Sequence, residues 1–430
     1  MGNGLRVAII GGGWAGLAAG VELSAAGARV TVFESSRQLG GRARRVEVGG
    51  HLLDNGQHIL IGAYHETLRL MRKVGAKPEH TLKRLPLELN HPGSSFRLQL
   101  PRLPVPLHLA FGLLAAQGCT LGEKISAVRF MRALQSHGYQ LPNDCSVAEL
   151  LDRHQQQGNL RRLMWEALCI AALNTSAENA SAKIFANVLR DSLGGVAADT
   201  DLLLPAVDLG ATFPDPAAQF IRAHGGEIHL STRIDEIPSS LELQGERFDH
   251  ILLAVAAPHA EKILRQHIET TPISEMLGGY SYEPIATVYL AFPPGLQPPC
   301  AMLGLETGSA GRIGQWAFDR GALCGTPGII SFVLSAHGVW EGLNNEALVS
   351  ALHRELQDVL DKPLPQPLWQ QVIREQRATF SCRPNLPRPT ARTPLTGLWL
   401  AGDYVCANYP ATLEGAVRSG IHAAAEILKH

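Results

Sequence analysis

Three glycines near the amino terminus are spaced for contact with a pyrophosphate. Gly11, Gly13 and Gly16 follow a short apolar segment and precede a segment of helical composition. In such a turn the first glycine allows the bend, the second lets the backbone approach the phosphates, and the third lets helix and strand pack. Glu34 ends the next apolar segment, about where an acid that binds ribose hydroxyls is expected. The spacing therefore predicts a dinucleotide-binding βαβ unit.

The segment after Glu34 adds basic side chains to this predicted site. Gly40 and Gly41 precede Arg42 and Arg44, and a guanidinium group can pair with phosphate oxygens. A solvated basic loop is the alternative interpretation. The glycine turn alone does not distinguish FAD from NAD.

Short apolar segments that would position these residues recur in three separated parts of the chain. The candidate strands are Arg6–Ile10, Ala28–Phe33, Gly226–Ser231, Phe248–Val255 and Gly397–Asp403, and a helix is predicted over Glu414–Lys429. Strands that alternate with helices favour an α/β fold. We therefore predict one domain assembled from residues 1–85, 206–278 and 381–430.

Two long insertions separate these pieces. Residues 86–205 have mostly helical composition, whereas residues 279–380 mix apolar strand-like segments with a helix at Asn345–Leu360. Together they predict an inserted α+β domain that binds the substrate. Within it, Leu103–Ala116 is strongly apolar and reads as a loop because Pro104, Pro106 and His108 interrupt it.

Composition excludes several classes of protein. The 38 basic and 39 acidic residues give a net charge of −1, which argues against a general nucleic-acid binder. The seven cysteines form no C-x-x-C pair, so we predict neither a disulfide framework nor a metal site. No apolar run reaches the roughly 18 residues of a membrane span, and no secretory signal is recognisable. A cytoplasmic location is expected.

Three separated motifs resemble those of the flavin-containing amine oxidase and phytoene desaturase superfamily. The first is the glycine turn with Glu34 and Gly40-Gly41-Arg42, and the second is Asp54-Asn55-Gly56-Gln57-His58. The third combines Ala401-Gly402-Asp403-Tyr404 with Leu413-Glu414-Gly415-Ala416. The resemblance implies a discontinuous, Rossmann-like FAD-binding domain of the GR2 type, with FAD bound non-covalently.

The resemblance also implies which residues bind FAD. Asp403 would accept hydrogen bonds from cofactor hydroxyls, and Ile234 lies in the segment that contacts adenine. The amino terminus of the last helix would face the N1/O2 edge of the flavin, where negative charge develops on reduction. The full predicted set is Gly11, Gly13, Ala15, Gly16, Glu34, Gly41, Arg42, Gly56, Gln57, Ile234, Gly402, Asp403 and Leu413.

Within the superfamily, Gln57-His58 and Tyr409-Pro410-Ala411-Thr412 most resemble the bacterial squalene-associated FAD enzymes, the hydroxysqualene dehydroxylases of hopanoid pathways. The resemblance implies reductive dehydroxylation of hydroxysqualene, a C30 isoprenoid, to squalene with hydride from reduced flavin. A carotenoid-type phytoene desaturase would use the same pocket and stays an alternative. Amine oxidation is disfavoured because Thr412 stands where amine oxidases carry a tyrosine. The intact FAD motifs disfavour a non-enzymatic prenyl-binding protein and a plain NAD dehydrogenase.

A dehydroxylase needs a proton donor, because hydroxide is a poor leaving group. By position the candidate catalytic residues are His58, Asp54 and Tyr409. A lipophilic isoprenoid substrate would dissolve in a membrane, so we also expect peripheral contact with its inner face through residues 103–116. A buried loop is the alternative for this segment. Upstream enzymes of squalene synthesis are candidate partners.

Overall fold

The computed structural model describes residues 4–104, 107–305 and 311–430. The strands are β1 (Arg6–Ile10), β2 (Arg29–Phe33), β3 (Arg45–Val48), β4 (His51–Asp54), β5 (Leu60–Ile61), β6 (Leu82–Leu85), β7 (Glu88–His91), β8 (Phe96–Gln99), β9 (Leu202–Pro205), β10 (Glu227–His229), β11 (Glu242–Leu243), β12 (Glu246–Arg247), β13 (His250–Leu253), β14 (Tyr282–Ala291), β15 (Met302–Gly304), β16 (Trp316–Asp319), β17 (Ile329–Ser335), β18 (Trp369–Phe380) and β19 (Leu398–Leu400).

The helices are α1 (Trp14–Ala25), α2 (His65–Lys73), α3 (Pro78–Thr81), α4 (Leu107–Ala115), α5 (Leu121–Ser136), α6 (Val147–Arg153), α7 (Gly158–Leu160), α8 (Ala167–Leu173), α9 (Ala182–Leu193), α10 (Leu209–Thr212), α11 (Pro214–Ala223), α12 (Ala257–Leu264), α13 (Thr271–Gly278), α14 (Arg320–Cys324), α15 (Asn345–Leu360) and α16 (Leu413–Ile427). A π-helical segment, Arg161–Glu166, joins α7 to α8.

A five-stranded parallel sheet carries the first predicted unit. Its strand order is β10-β2-β1-β13-β19, and β1 pairs with both β2 and β13. Helices α16 and α11 pack against α1. A Cβ on Gly420 would lie 2.1 Å from the carbonyl oxygen of Ala15, so the absence of a side chain allows α16 to lie against α1. The predicted α/β fold, with its sheet assembled from separated segments, is confirmed.

A second five-stranded sheet lies in the later insertion, in the order β15-β16-β17-β14-β18. Strand β14 pairs antiparallel with β17 and along most of its length with β18. Leucines of α15 cover an apolar core on this sheet. The sequence did not predict β18, because its polar residues show no regular alternation with apolar ones.

Smaller sheets connect the two parts. Strand β9 pairs with β5 on one side and with β6 on the other. This sheet therefore joins residues 1–85, assigned to the FAD-binding domain, with the end of the inserted segment 86–205. The boundaries themselves stay a prediction.

The prediction of a loop over Leu103–Ala116 is wrong for most of its length, because residues 107–115 form helix α4; residues 105 and 106 lie outside the described part. Proline is tolerated where a helix begins, and the residues that follow include good helix formers such as leucine and alanine. Within the described residues, no helix is both long enough and apolar enough to cross a membrane.

Candidate active site

One large cavity, of about 740 Å³, opens at the carboxyl edge of the parallel sheet. Its wall includes residues at or just after the carboxyl ends of four parallel strands, namely Ile10, Glu34, Ala254 and Gly402. Ligands of open α/β sheets bind at this edge. Of the thirteen residues predicted to bind FAD, all except Gly16 line this cavity.

The glycine turn leaves its backbone free of side chains where a phosphate would lie. Gly11 has φ +110° and a Cβ there would meet the carbonyl oxygen of Ala254 at 2.5 Å, so this position requires glycine. A Cβ on Gly16 would lie 2.1 Å from the carbonyl oxygen of Gly11. Gly13 is different, since its Cβ would meet only Gly41 Cα, at 3.8 Å. Gly13 therefore faces open space in the cavity.

Glu34 is held rigidly at the end of β2. Its Oε2 accepts a hydrogen bond from the Gly12 amide at 2.7 Å, and its Oε1 accepts one from the Ser36 amide at 2.7 Å. These bonds fix an acceptor group at the place where a ribose is expected. Ile234 also lines the cavity, as do His259 and Lys262. No local motif could have predicted the last two residues, which come from α12.

Arg42 and Asp403 form an ion pair on the cavity wall. Arg42 Nη2 donates to Asp403 Oδ2 at 2.6 Å, and Arg42 Nη1 donates to the Ala378 carbonyl oxygen at 2.6 Å. Burial lowers the pKa of Arg42, but the carboxylate of Asp403 more than offsets this and the net direction is upward. The sequence predicted each residue separately as an FAD ligand, and the structure shows that their side chains are ion-paired.

The Gly56-Gln57-His58 segment lines the middle of the cavity. The ring Nδ1 of His58 lies 2.8 Å from the Gly56 carbonyl oxygen. A carbonyl only accepts, so Nδ1 carries the proton of this hydrogen bond. Burial lowers the pKa of His58, and the charge of Arg42 lowers it further, against the effect of this hydrogen bond. The lowered pKa favours the neutral ring, in which Nδ1 carries the only proton.

Asp54, a candidate catalytic acid, does not line the cavity. Its Oδ1 accepts from the Leu209 amide at 2.9 Å, and its Oδ2 lies 3.5 Å from Arg320 Nη1. The side chain is almost fully buried, and burial raises its pKa to about 6, against the charge of Arg320. Asp54 therefore links the β4 end to α10 and α14, behind the cavity wall.

Tyr409, the third candidate, lines the cavity beside the start of α16. Its hydroxyl donates to Asp191 Oδ2 at 2.6 Å, and Asp191 also lines the cavity. Burial raises the pKa of Tyr409, and the hydrogen bond to Asp191 adds to the effect, so the phenol stays protonated. Asp191 belongs to α9 in the helical insertion, where no sequence motif marks it.

Helix α16 begins at the cavity with a well-formed cap. The Thr412 side chain accepts from the Gly415 amide at 3.1 Å, and Leu413 faces the cavity. Glu414 points away from the cavity, fully buried, and accepts hydrogen bonds from Thr67 and Arg418. The first amide groups of α16 can therefore meet a negatively charged ligand edge.

These features fit FAD. The open space at Gly13 would form a cradle for the pyrophosphate, Glu34 would accept from a ribose hydroxyl, and Arg42 with Asp403 would contact the middle of the cofactor. The first amide groups of α16 would donate hydrogen bonds to the flavin edge. A Rossmann-like sheet with this set of groups around one cavity defines a flavin-dependent oxidoreductase.

Comparison with known sequences supports the same class. Residues 14–428 match the family described as flavin containing amine oxidoreductase, and the chain belongs to that family. It is similar to hydroxysqualene dehydroxylases of Zymomonas mobilis and Rhodopseudomonas palustris, at 28% and 27% identity. These matches cover 98% of this chain and 99% and 98% of the two relatives. A probable zeta-carotene desaturase of Synechococcus elongatus is 23% identical, with 99% of both chains covered.

Solved structures show the same fold. An oxidoreductase from Methanosarcina mazei superposes with a TM-score of 0.72 at 14% sequence identity, and the match covers 99% of this chain and 100% of the other. At this identity the likeness concerns the fold alone. The family and the site together make the chain an FAD-dependent oxidoreductase.

Proposed function

We propose that this enzyme removes the hydroxyl group of hydroxysqualene reductively and forms squalene. The observation that carries the proposal is an apolar chamber that is continuous with the FAD cradle. Its walls come from both insertions and include Leu87, Leu89, Leu168, Ile170, Leu189, Leu193, Met302, Trp316, Phe318 and Val333. Such walls suit a hydrocarbon chain and exclude water. Similarity to hydroxysqualene dehydroxylases along the whole chain adds support.

FAD, when bound and reduced, supplies the hydride that replaces the hydroxyl group. The chain itself must bind the isoprenoid, orient its carbon–oxygen bond and provide a proton so that water leaves. Among the three candidate acids, Tyr409 carries an O–H group on the cavity wall. The Tyr409 proton is bonded to the Asp191 carboxylate and the His58 ring proton to the Gly56 carbonyl oxygen, whereas Asp54 does not line the cavity.

An anaerobic single-turnover experiment tests this function. The FAD-loaded protein is reduced with dithionite and mixed with hydroxysqualene, while flavin absorbance and the extracted lipid are followed together. We expect the oxidised flavin band to return in step with squalene formation. If the flavin stays reduced and no squalene forms, the proposal is wrong. Bleaching of the oxidised enzyme by phytoene would instead identify a desaturase, since hydride would then move from lipid to flavin.

We also propose that α4 and α5 dock this enzyme on a phospholipid surface. Leu107, Phe111 and Leu114 are 48%, 54% and 48% exposed, and their spacing places them on one face of α4. Leu121 and Ile125 on α5 are exposed in the same way. Monomeric proteins seldom expose such clusters without a partner.

Charge at the edge of this face fits an anionic membrane. The side chains of Arg102, Arg129 and Arg132 are exposed nearby in the chain, and basic side chains next to a buried apolar face strengthen binding to anionic lipids. Substitution Phe111→Asp should release the protein from anionic liposomes in a flotation assay. The matched substitution Ile268→Asp, at a side chain that is 85% exposed on another surface, should not. Equal flotation of both variants and wild type would contradict the proposal.

A further inference from the structure

The helical wall of the chamber carries one ionisable group among the described residues that line it. The lining residues from the insertion 86–205 are Leu87, Leu89, Ala167, Leu168, Ile170, Ala171, Ala172, Asn174, Val188, Leu189, Asp191, Ser192, Leu193, Thr200 and Leu202. All are apolar except Asn174, Asp191, Ser192 and Thr200. A carboxylate in such surroundings requires partners, because an isolated buried charge is costly.

The other polar groups of this wall are already engaged. Asn174 donates to Thr379 Oγ1 at 2.9 Å and accepts from the Ala336 amide at 2.6 Å. The hydroxyls of Ser192 and Thr200 donate to backbone carbonyls within their own helical turns, at 2.7 and 2.6 Å. These hydrogen bonds tie the three side chains to the protein. Asp191 is therefore the group with the greatest capacity for a ligand.

Asp191 and Tyr409 form a matched acceptor and donor. Arg190 Nε donates to Asp191 Oδ1 at 2.7 Å, and the Tyr409 hydroxyl donates to Oδ2 at 2.6 Å. Each carboxylate oxygen can accept a second hydrogen bond. The guanidinium carbon of Arg418 also lies over the Tyr409 ring, 4.9 Å from the ring centroid. The pair thus offers carboxylate acceptor sites and one O–H donor, whose proton bonds to Asp191 until a ligand takes the place of the carboxylate oxygen.

We propose that Asp191 and Tyr409 form the binding site for the hydroxyl group of the isoprenoid substrate. The alcohol would replace Asp191 as the acceptor of the Tyr409 O–H group and would donate its own proton to Asp191, which uses both hydrogen-bonding capacities of a hydroxyl. Tyr409 lies four positions before Leu413, where α16 meets the predicted flavin edge. The polar end of the lipid is therefore held next to the cofactor, while its hydrocarbon chain occupies the apolar walls.

This inference rests on the proposed function and predicts discrimination between an alcohol and its hydrocarbon. Full-length, FAD-loaded, oxidised protein in detergent micelles is titrated with hydroxysqualene and, separately, with squalene. Binding is followed by quenching of tryptophan fluorescence, since Trp316 lines the chamber. We expect wild type to favour the alcohol about tenfold, the effect of one well-placed hydrogen bond.

Two variants remove the site in different ways. Tyr409→Phe removes only the O–H group, and Asp191→Ala removes the carboxylate. Each should reduce the alcohol preference to about twofold or less and leave squalene affinity unchanged. The matched control is Asp152→Ala, which removes an ion-paired acid outside the chamber wall. That variant should keep the full preference.

The outcomes separate this inference from the proposed function. If both site variants keep the alcohol preference while wild type still forms squalene, the site assignment is wrong and the function stands. Equal affinity of wild type for both lipids also overturns the assignment. If wild type binds neither lipid and forms no squalene, both proposals fail. Should Asp191→Ala not fold, as judged by circular dichroism, Tyr409→Phe decides the question, because it preserves the size of the side chain.

Discussion

Replacing the three glycines of the turn one at a time should separate folding from cofactor binding. In Gly16→Ala the new methyl group would lie 2.1 Å from a backbone oxygen, and in Gly11→Ala 2.5 Å from another, with a φ of +110°. Backbone atoms would have to move by about 1 Å, and overpacking of this kind costs roughly 1–3 kcal/mol. Both variants should unfold more easily even without FAD.

Gly13→Ala should behave differently. The φ of Gly13 is −77°, which alanine adopts without strain, and the nearest atom to a new Cβ is 3.8 Å away. We therefore expect the unfolding free energy of the apoprotein to change by no more than about 0.5 kcal/mol. The methyl group would instead stand where the pyrophosphate approaches the backbone. Loss of one charge-assisted hydrogen bond, about 1.5–3 kcal/mol, corresponds to a roughly 10- to 150-fold weaker FAD Kd.

Two measurements on each variant check this reasoning. Urea denaturation of the deflavinated protein gives the stability, and quenching of FAD fluorescence gives the Kd. Gly342→Ala is the matched control, because a Cβ there meets no atom within 4 Å and the residue does not line the cavity. If Gly13→Ala binds FAD as tightly as wild type, the pyrophosphate does not lie over this residue and the assignment of the cradle is refuted.

Two further predictions concern buried carboxyl groups. The pKa of Asp54 is about 6 in the fold against 3.8 for the ordinary side chain; its proton therefore stabilises the folded state below about pH 4, and this contribution is lost as the pH rises through 6. Relative to Asp54→Asn, wild type should lose about 1.4 kcal/mol of unfolding free energy per pH unit between about pH 4 and 6, and parallel urea-denaturation profiles over this range would contradict the assignment. Glu414→Gln should cost about 2 kcal/mol, because a fully buried acceptor of bonds from Thr67 and Arg418 is weakened. The control is Glu426, near the other end of α16, which pairs with Lys429 at the surface. Glu426→Gln should change the melting temperature little. Equal losses of stability in the two variants would show that burial of Glu414 contributes nothing.

The parallel sheet was predictable because its strands are short, apolar and followed by turn residues. Fully buried strands such as β1 and β13 read as continuous apolar runs. Strand β18 was not predictable, since it pairs along one edge of its sheet and keeps polar side chains exposed. The sequence did not predict helix α4, because the prolines before Leu107 indicated an interrupted, loop-like segment. The usual amphipathic pattern assumes that the apolar side chains of a helix face the core, whereas α4 leaves several of them exposed.

The residues of the predicted FAD site could be read from the sequence, because they lie in one turn and at the ends of predicted strands and helices. Gly11, Gly13 and Glu34 occupy one βαβ unit, so their spacing along the chain sets their spacing in the molecule. Contacts between side chains from distant parts of the sequence could not be predicted in this way. Arg42 and Asp403 are 361 positions apart, and Asp191 and Tyr409 are 218 positions apart. Such pairs depend on how separate elements pack, and this packing also places Asp54 behind the wall rather than in the chamber. The spacing of residues along a short segment sets the geometry of a turn, but it gives no information about how distant elements pack.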